Sequence, residues 1–318
     1  MTNNKKTLII LLSLMLLITF IQTTVFANLA GHSETEVTKV YDTKGNYIFS
    51  TSMGVTKGDN YISQDNIKYS VINVNNNKAI AKKQGQIDLI KTNKVSALPP
   101  LGKQGQKLVA IYHTHNDESY EPGSQSIRGK GDIHDIGNEL AQSLENNGIK
   151  TIHSEEMHLP HDGAAYTRSK ATALDLDKKR PDAMFDLHRD GIPDKNEYLE
   201  TVNGKKITQV RIVVGRQNPN RKVNSDFAKY MKAVSDKVAP GLIRDIFYGQ
   251  GEYNQSVHPR SLILEFGTFK NKEERVKSSA NMLGVSISKL LQGGKFNQPA
   301  SKGAEQRSAW YTIAWILA

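Results

Sequence analysis

Leu108-Val109-Ala110-Ile111-Tyr112 runs without interruption into His113-Thr114-His115-Asn116-Asp117-Glu118-Ser119. Five apolar residues in a row, three of them β-branched or aromatic, predict a strand buried on both faces. A strand of that kind sits inside a sheet covered by helices. The polar residues that follow then stand at its carboxyl end, where open α/β sheets bind their ligands.

The same texture recurs downstream. Ile136, Leu140 and Leu144, with Ala141, are spaced for one face of a helix that Asn147-Gly148 ends. Lys150–His153 reads as a strand, 164–179 as a helix stopped near Pro181, and Ala183–Leu187 as a third strand. Val210–Val214 is a fourth strand, 225–238 a helix, Leu262–Phe266 a fifth strand, and Glu273–Leu291 a long last helix. Strands alternating with helices predict an α/β fold: a mixed, mostly parallel sheet with helices on both faces.

Upstream the pattern differs. Residues 28–100 are polar and turn-rich, with short alternating runs at Tyr47-Ile48-Phe49 and Tyr69–Val74, and turns at Thr43–Asn46, Thr56–Asp59 and Asn75–Asn77. They read as a small β-rich stalk that ends in a linker at Leu98-Pro99-Pro100. Before it, Lys5 and Lys6 precede an apolar run from Leu8 to Phe26. A basic end and a run near the ~20 residues that span a bilayer mark residues 1–27 as a membrane anchor or a signal segment. Val25-Phe26-Ala27 offers a cleavage site for the second outcome. The expected arrangement is thus 1–27 anchor, 28–100 stalk and linker, 101–292 catalytic domain, and 293–318 a polar linker with the short apolar stretch Ala309–Ala318.

The chain has no cysteine, which excludes disulfides, thiolate metal sites and cysteine nucleophiles together. Its net charge of +10 suits attraction to polyanions, and an exported chain without a nucleic-acid-binding motif points to wall polymers or lipid rather than nucleic acid.

Candidate chemistry gathers at three strand ends: His113 to Ser119, Asp186-Leu187-His188-Arg189-Asp190, and Glu265 before Phe266-Gly267. Zinc takes about three protein ligands and one open position, and without cysteine two histidines plus a carboxylate form the available set. A further carboxylate is needed to move the proton. Glu265 follows three buried aliphatic residues, a place where a carboxylate is unfavourable unless paired or near a cation. Arg189 and Asp190 read either as partners of one another or as substrate contacts. His153, His158, His161 and Asp162 read as a loop lining the same edge, with a second metal site as the alternative. No Gly-x-Ser-x-Gly turn supports a serine nucleophile.

Five motifs occur in order: Ile111–Tyr120, His158–Asp162, Phe185–Asp190, Val213–Pro219 and Leu264–Thr268. Together they resemble the stage II sporulation protein P family over roughly residues 107–290. That family is similar to the zinc-dependent N-acetylmuramoyl-L-alanine amidases, which gives the expected fold an amidase-like form. The resemblance implies cleavage of the bond between muramic acid and the stem peptide of peptidoglycan, and cutting within stem peptides, during forespore engulfment. It implies as partners a lytic transglycosylase and a membrane scaffold, and a site outside the cytoplasm at the cell membrane. Carried over onto this sequence, the zinc ligands become His113, Glu118 and His188, and the general base Glu265. In typical amidases the ligand Glu lies further on, where this chain has Asp132, His134 and Asp135, and His115 competes for a ligand place. His115 or Arg189 would stabilise the oxyanion. The rival reading is a non-catalytic wall-binding scaffold with the same fold; a zinc carboxypeptidase or deacetylase would use similar ligands.

Overall fold

The computed structural model describes residues 36–89 and 105–293. The apolar run 8–26, the Leu98-Pro99-Pro100 linker and the Ala309–Ala318 stretch lie outside the described residues. Among those described, no helix is long and apolar enough to cross a membrane.

Thirteen strands and four α-helices are present among the described residues. The strands are β1 (Thr38–Asp42), β2 (Tyr47–Thr51), β3 (Asn60–Ile62), β4 (Ile67–Asn75), β5 (Lys78–Gln86), β6 (Leu108–Tyr112), β7 (Lys150–His153), β8 (Ala183–Asp190), β9 (Leu199–Val202), β10 (Lys205–Thr208), β11 (Val210–Gly215), β12 (Ile243–Gly249) and β13 (Ser261–Thr268). The helices are α1 (Ile133–Asn146), α2 (Ala165–Asp177), α3 (Arg221–Val238) and α4 (Glu273–Leu291).

Eleven strands form one sheet in the order β2-β1-β5-β4-β3-β12-β11-β13-β8-β6-β7, and β9 and β10 make a separate hairpin. The α/β class is as the sequence predicts. The pairing is more mixed than the expected mostly parallel sheet. β7, β6, β8 and β13 run parallel, but β11 meets β13 antiparallel, and β3 joins β12 antiparallel. Through that last ladder, with Phe247 opposite Tyr61, the segment read as a stalk becomes part of the main sheet.

Alternation along the strands explains how both faces are filled. Val109, Ile111, Phe185, Leu187, Ile212, Leu262 and Leu264 point to one side. There they pack with Ile133, Ile136, Leu140 and Leu144 of α1, Phe227 of α3 and Leu283 of α4. Each fully buried side chain of this size contributes about 1.5–3 kcal/mol. Helices α1 and α4 approach closely at Gly284, where a Cβ would lie 2.4 Å from Ser143 Oγ. On the opposite face, Ala110, Tyr112 and Met184 meet Ala173 and Leu176 of α2. Further along that face Val213, Phe247 and Ile263 are covered by Val40, Phe49, Met53 and Tyr61 of the N-terminal strands.

A buried ionic network ties these strands to the sheet. Arg211 of β11 donates from Nε to Asp245 at 2.7 Å and from Nη1 to Asp190 at 3.0 Å. Asp190 also accepts from Ser52 N–H at 2.9 Å, Ser52 Oγ at 2.8 Å and Tyr198 Oη at 2.9 Å. Asp190 is therefore paired with Arg211, not with its neighbour Arg189.

Candidate metal centre

Because β6, β7, β8 and β13 are parallel, their carboxyl ends lie on one edge. Tyr112 is in register with Asp186, and His188 with Glu265. The chain leaves β6 at Tyr112 and turns. Asp186 fixes that turn: it accepts from Thr114 N–H at 2.8 Å and from Thr114 Oγ1 at 2.6 Å. With Thr114 clamped, His113 and His115 face different neighbours.

His115, Glu118 and His188 converge, each offering one ligand atom within 4.8 Å of the others, and all three are buried. His115 Nδ1 is 3.4 Å from Glu118 Oε1, and His188 Nδ1 is 3.6 Å from Glu118 Oε2. The other face of His188 is held by Asp186, whose Oδ1 lies 3.1 Å from Nε2. A carboxylate beside Nε2 favours the proton on that nitrogen, which leaves Nδ1, on the side of Glu118, as the nitrogen free to ligate a metal. Glu118 is held in turn by the Arg189 backbone N–H, 2.9 Å from Oε2. Two imidazoles and one carboxylate with a carboxylate behind one histidine fit the donor set of zinc.

Of the residues carried over from the resemblance, Glu118, His188 and the competitor His115 are thus brought together. His113 is not with them: it lies with His134 and His153 in a second cluster. Arg189 turns its Nη2 to Gln125 O at 2.9 Å and lies over the Phe269 ring. Glu265 is fully buried on β13, between His188 on one neighbouring strand and Arg211 on the other.

Burial and the carboxylates around them set the protonation states. Burial alone lowers His188, but Asp186 and Glu118 overcome it and hold the imidazole well above its ordinary range. Burial raises Glu118, and His188 and His115 outweigh it and keep the carboxyl well below its usual range. His115 is pushed down to about 4, chiefly by burial. Glu265 is pushed well above the carboxylate range by burial, with Asp190 and Glu118 adding to the effect and His188 opposing it. Two carboxyls of one site thus differ in proton affinity, Glu118 low and Glu265 high, the separation that acid–base chemistry uses, and a cation held at His188 would favour the ionised form of Glu265.

Further residues shape the site, His161 among them as part of the loop read as lining this edge, whereas Tyr166 has no role assigned from the sequence. Asp186 and Thr114 position His188 and the turn. His161 stacks on His115 with ring centroids 3.8 Å apart, and its Nδ1 is 2.8 Å from Asp117 Oδ1. Tyr166 of α2 stands edge-on to His115 at 5.6 Å and stacks against His188 at 6.1 Å, with its hydroxyl buried. The one available signal for Tyr166 was its place at the start of a helix that faces the strand ends. The His153–Asp162 stretch divides: His158 braces the loop by its Nδ1 contact to His113 O at 2.7 Å, and Asp162 pairs with Arg168 at the surface.

An α/β protein whose strand ends bring two imidazoles and a carboxylate together belongs to the class equipped to hold a divalent cation. The chain belongs to the stage II sporulation protein P family, whose sequence model matches residues 32–288. The resemblance read from the five motifs is thereby borne out, and it extends into the N-terminal strands. Stage II sporulation protein P of Bacillus subtilis (strain 168) is 31% identical over 214 residues, which cover 60% of this chain and 53% of that protein. The chain thus matches about half the length of this curated relative. Among solved structures, the CwlD amidase from Clostridioides difficile in complex with the GerS lipoprotein is 14% identical at a TM-score of 0.42, covering 59% of this chain and 100% of its own. The N-acetylmuramoyl-L-alanine amidase AmiC2 of Nostoc punctiforme is 11% identical at a TM-score of 0.39, covering 60% of this chain and 98% of its own. Ami1 from Mycobacterium smegmatis, also an N-acetylmuramyl-L-alanine amidase, is 15% identical at 0.39, with 60% and 100% covered.

Proposed function

We propose that this chain is a zinc-dependent peptidoglycan hydrolase of sporulating cells, cutting the amide between muramic acid and the stem peptide. The observation that carries the reading is the convergence of His115, Glu118 and His188 beside a buried Glu265 in register with His188. His115, Glu118 and His188 would hold the ion. Zinc bound there supplies Lewis-acid polarisation of the scissile carbonyl.

The remaining work falls to the chain. Asp186 keeps His188 in one tautomer and orientation. Glu265 takes a proton from the attacking water and passes it to the departing nitrogen. Its raised affinity for a proton suits the second half of that cycle. With His115 among the ligands and Arg189 turned to Gln125, the Tyr166 hydroxyl is the neutral donor available to the developing oxyanion. Burial raises Tyr166 well above its ordinary range, so it keeps its proton.

The apolar run 8–26 would hold the enzyme at the cell membrane as a single span, or be removed as a signal, with the strands and helices outside the cytoplasm. The net charge of +10 would draw it to anionic wall polymers. A lytic transglycosylase and a membrane scaffold of engulfment remain the proposed partners.

The test is mass spectrometry of muropeptides after incubation of purified sacculi with the chain. Free stem peptides are expected, lost on chelation and restored by zinc. Glu265→Gln should retain zinc and lose ~10²–10⁴-fold of the rate. Wild-type cleavage by Glu265→Gln would remove the proton-transfer role, and intact muropeptides from the wild type would favour the scaffold reading.

A further inference from the structure

His113, at the end of β6, His153, at the end of β7, and His134 of α1 form a cluster whose ring nitrogens lie within 4.8 Å of one another. His113 Nε2 and His153 Nε2 are 2.7 Å apart. The other nitrogens decide what lies between them. His113 Nδ1 faces Leu187 O at 3.3 Å, and a carbonyl can only accept, so this nitrogen carries the hydrogen. His153 Nδ1 faces Asn138 Oδ1 at 2.9 Å, again an acceptor. In neutral rings both Nε2 atoms then present bare lone pairs to each other. Two lone pairs at that separation repel unless a cation or a proton sits between them.

A shared proton would place a positive charge beside a third buried imidazole, and Glu155, the carboxylate acting on His134 and His153, is itself exposed and paired with Lys130. His134 is itself fully buried, and its Nδ1 has no hydrogen-bond partner among the described residues. Space for the rings is kept by Gly137 of α1. A Cβ at that position would stand 2.5 Å from His153 Nε2 and 2.9 Å from His113 Nε2. A glycine inside a helix is unfavourable by roughly 1 kcal/mol relative to alanine, so its use here follows from the imidazoles it accommodates.

We propose that His113, His134 and His153 form a second metal site, separate from the His115–Glu118–His188 cluster. An all-imidazole set selects zinc or a neighbouring first-row divalent ion over magnesium or calcium, which take oxygen ligands. Two histidines on tetrahedral zinc have nitrogens about 3.3 Å apart, so the His113–His153 pair opens by about half an ångström on binding. His153 is on the edge strand and only half-buried, so it can make that shift, and water can reach the fourth position from its side. The ion would pin the edge strand β7 and helix α1 to β6.

The test counts metal on the purified full chain. After stripping with chelator and dialysis against zinc alone, elemental analysis should find two equivalents in the wild type. His153→Ala and Gly137→Ala should each retain one, and His115→Ala should lose only the other. Circular dichroism checks that each variant is folded. A wild type that binds one equivalent, abolished by His115→Ala, overturns the proposal and leaves the His113–His153 contact as a plain N–H···N hydrogen bond. Two equivalents in folded His153→Ala overturn it equally. Failure of the catalytic reading would appear in the muropeptide assay and leave the metal count unchanged.

Discussion

Asp186→Asn isolates what the carboxylate behind His188 contributes. The substitution preserves shape. One oxygen remains to accept from Thr114 N–H, now 2.8 Å away, and to face His188 Nε2, now 3.1 Å away. The new amide faces Thr114 Oγ1, a hydroxyl that can accept as well as donate. The turn after β6 therefore stays clamped. What disappears is the negative charge of the buried contact with His188 and of the bonds from Thr114. Charge-assisted bonds are worth about 1.5–3 kcal/mol and neutral ones about 0.5–1.5, so the difference is about 1–1.5 kcal/mol, or roughly tenfold in zinc affinity. Loss of outer-shell partners elsewhere lowers metal affinity by about 10–100-fold, which brackets the figure. The assay is competition for zinc against a chromophoric chelator near neutral pH, in a His153→Ala background so that one site is titrated. An unchanged affinity in folded protein would refute the idea that Asp186 tunes His188 for a cation.

Three further outcomes follow from the same geometry. Arg211→Met leaves Asp190 and Asp245 buried without their shared cation; breaking such a pair costs about 3–5 kcal/mol, and the donors from Ser52, Tyr198 and Arg244 keep it near the lower figure. Urea unfolding should show a midpoint lower by about 1 M for a slope near 3 kcal/mol/M, and a negligible shift would mean the network is decorative. The chelator-treated protein should lose stability from pH 6.5 down towards pH 4, because burial holds His115 and His134 at about 4 in the folded state and lowers His113 as well. The unfolded chain binds more protons in that window, so stability rises with pH across it. Glu265 and Asp59, both raised, act in the opposite sense but are outnumbered; a flat urea midpoint over this range would contradict the burial of the three rings. Tyr120→Phe removes the buried bond from Oη to Phe266 O and should cost about 1 kcal/mol in the same measurement, with the carbonyl left unsatisfied.

The apolar runs were legible: Leu108–Tyr112 is apolar throughout, and Val210–Val214 and Leu262–Phe266 are apolar but for one charged residue each, Arg211 and Glu265. β12 was not, because Arg244 and Asp245 interrupt Ile243–Gly249, and their burial is made possible only by Arg211 and Glu197 from other elements. β1 and β3 are short and β5 is largely polar, so they gain their order from pairing. The β9–β10 hairpin did carry a signal, since Asn203-Gly204 is a turn dipeptide, and both residues have positive φ. At the site, the strand ends could be named from the sequence, but the choice between His113 and His115 could not. Spacing along the chain does not say which way a ring turns once the backbone leaves the sheet. That direction is set by Thr114 against Asp186, 72 residues away.

The join between β3 and β12 bears on how the chain would respond to a protease. A nick anywhere in residues 90–104 severs the covalent link between the first five strands and the rest. The two pieces would still share a ladder, the Phe49–Phe247 contact and the Ser52–Asp190 bonds. They should therefore travel together through gel filtration and separate only in denaturant, as a two-fragment complex in which Asp190 keeps its donors from Ser52.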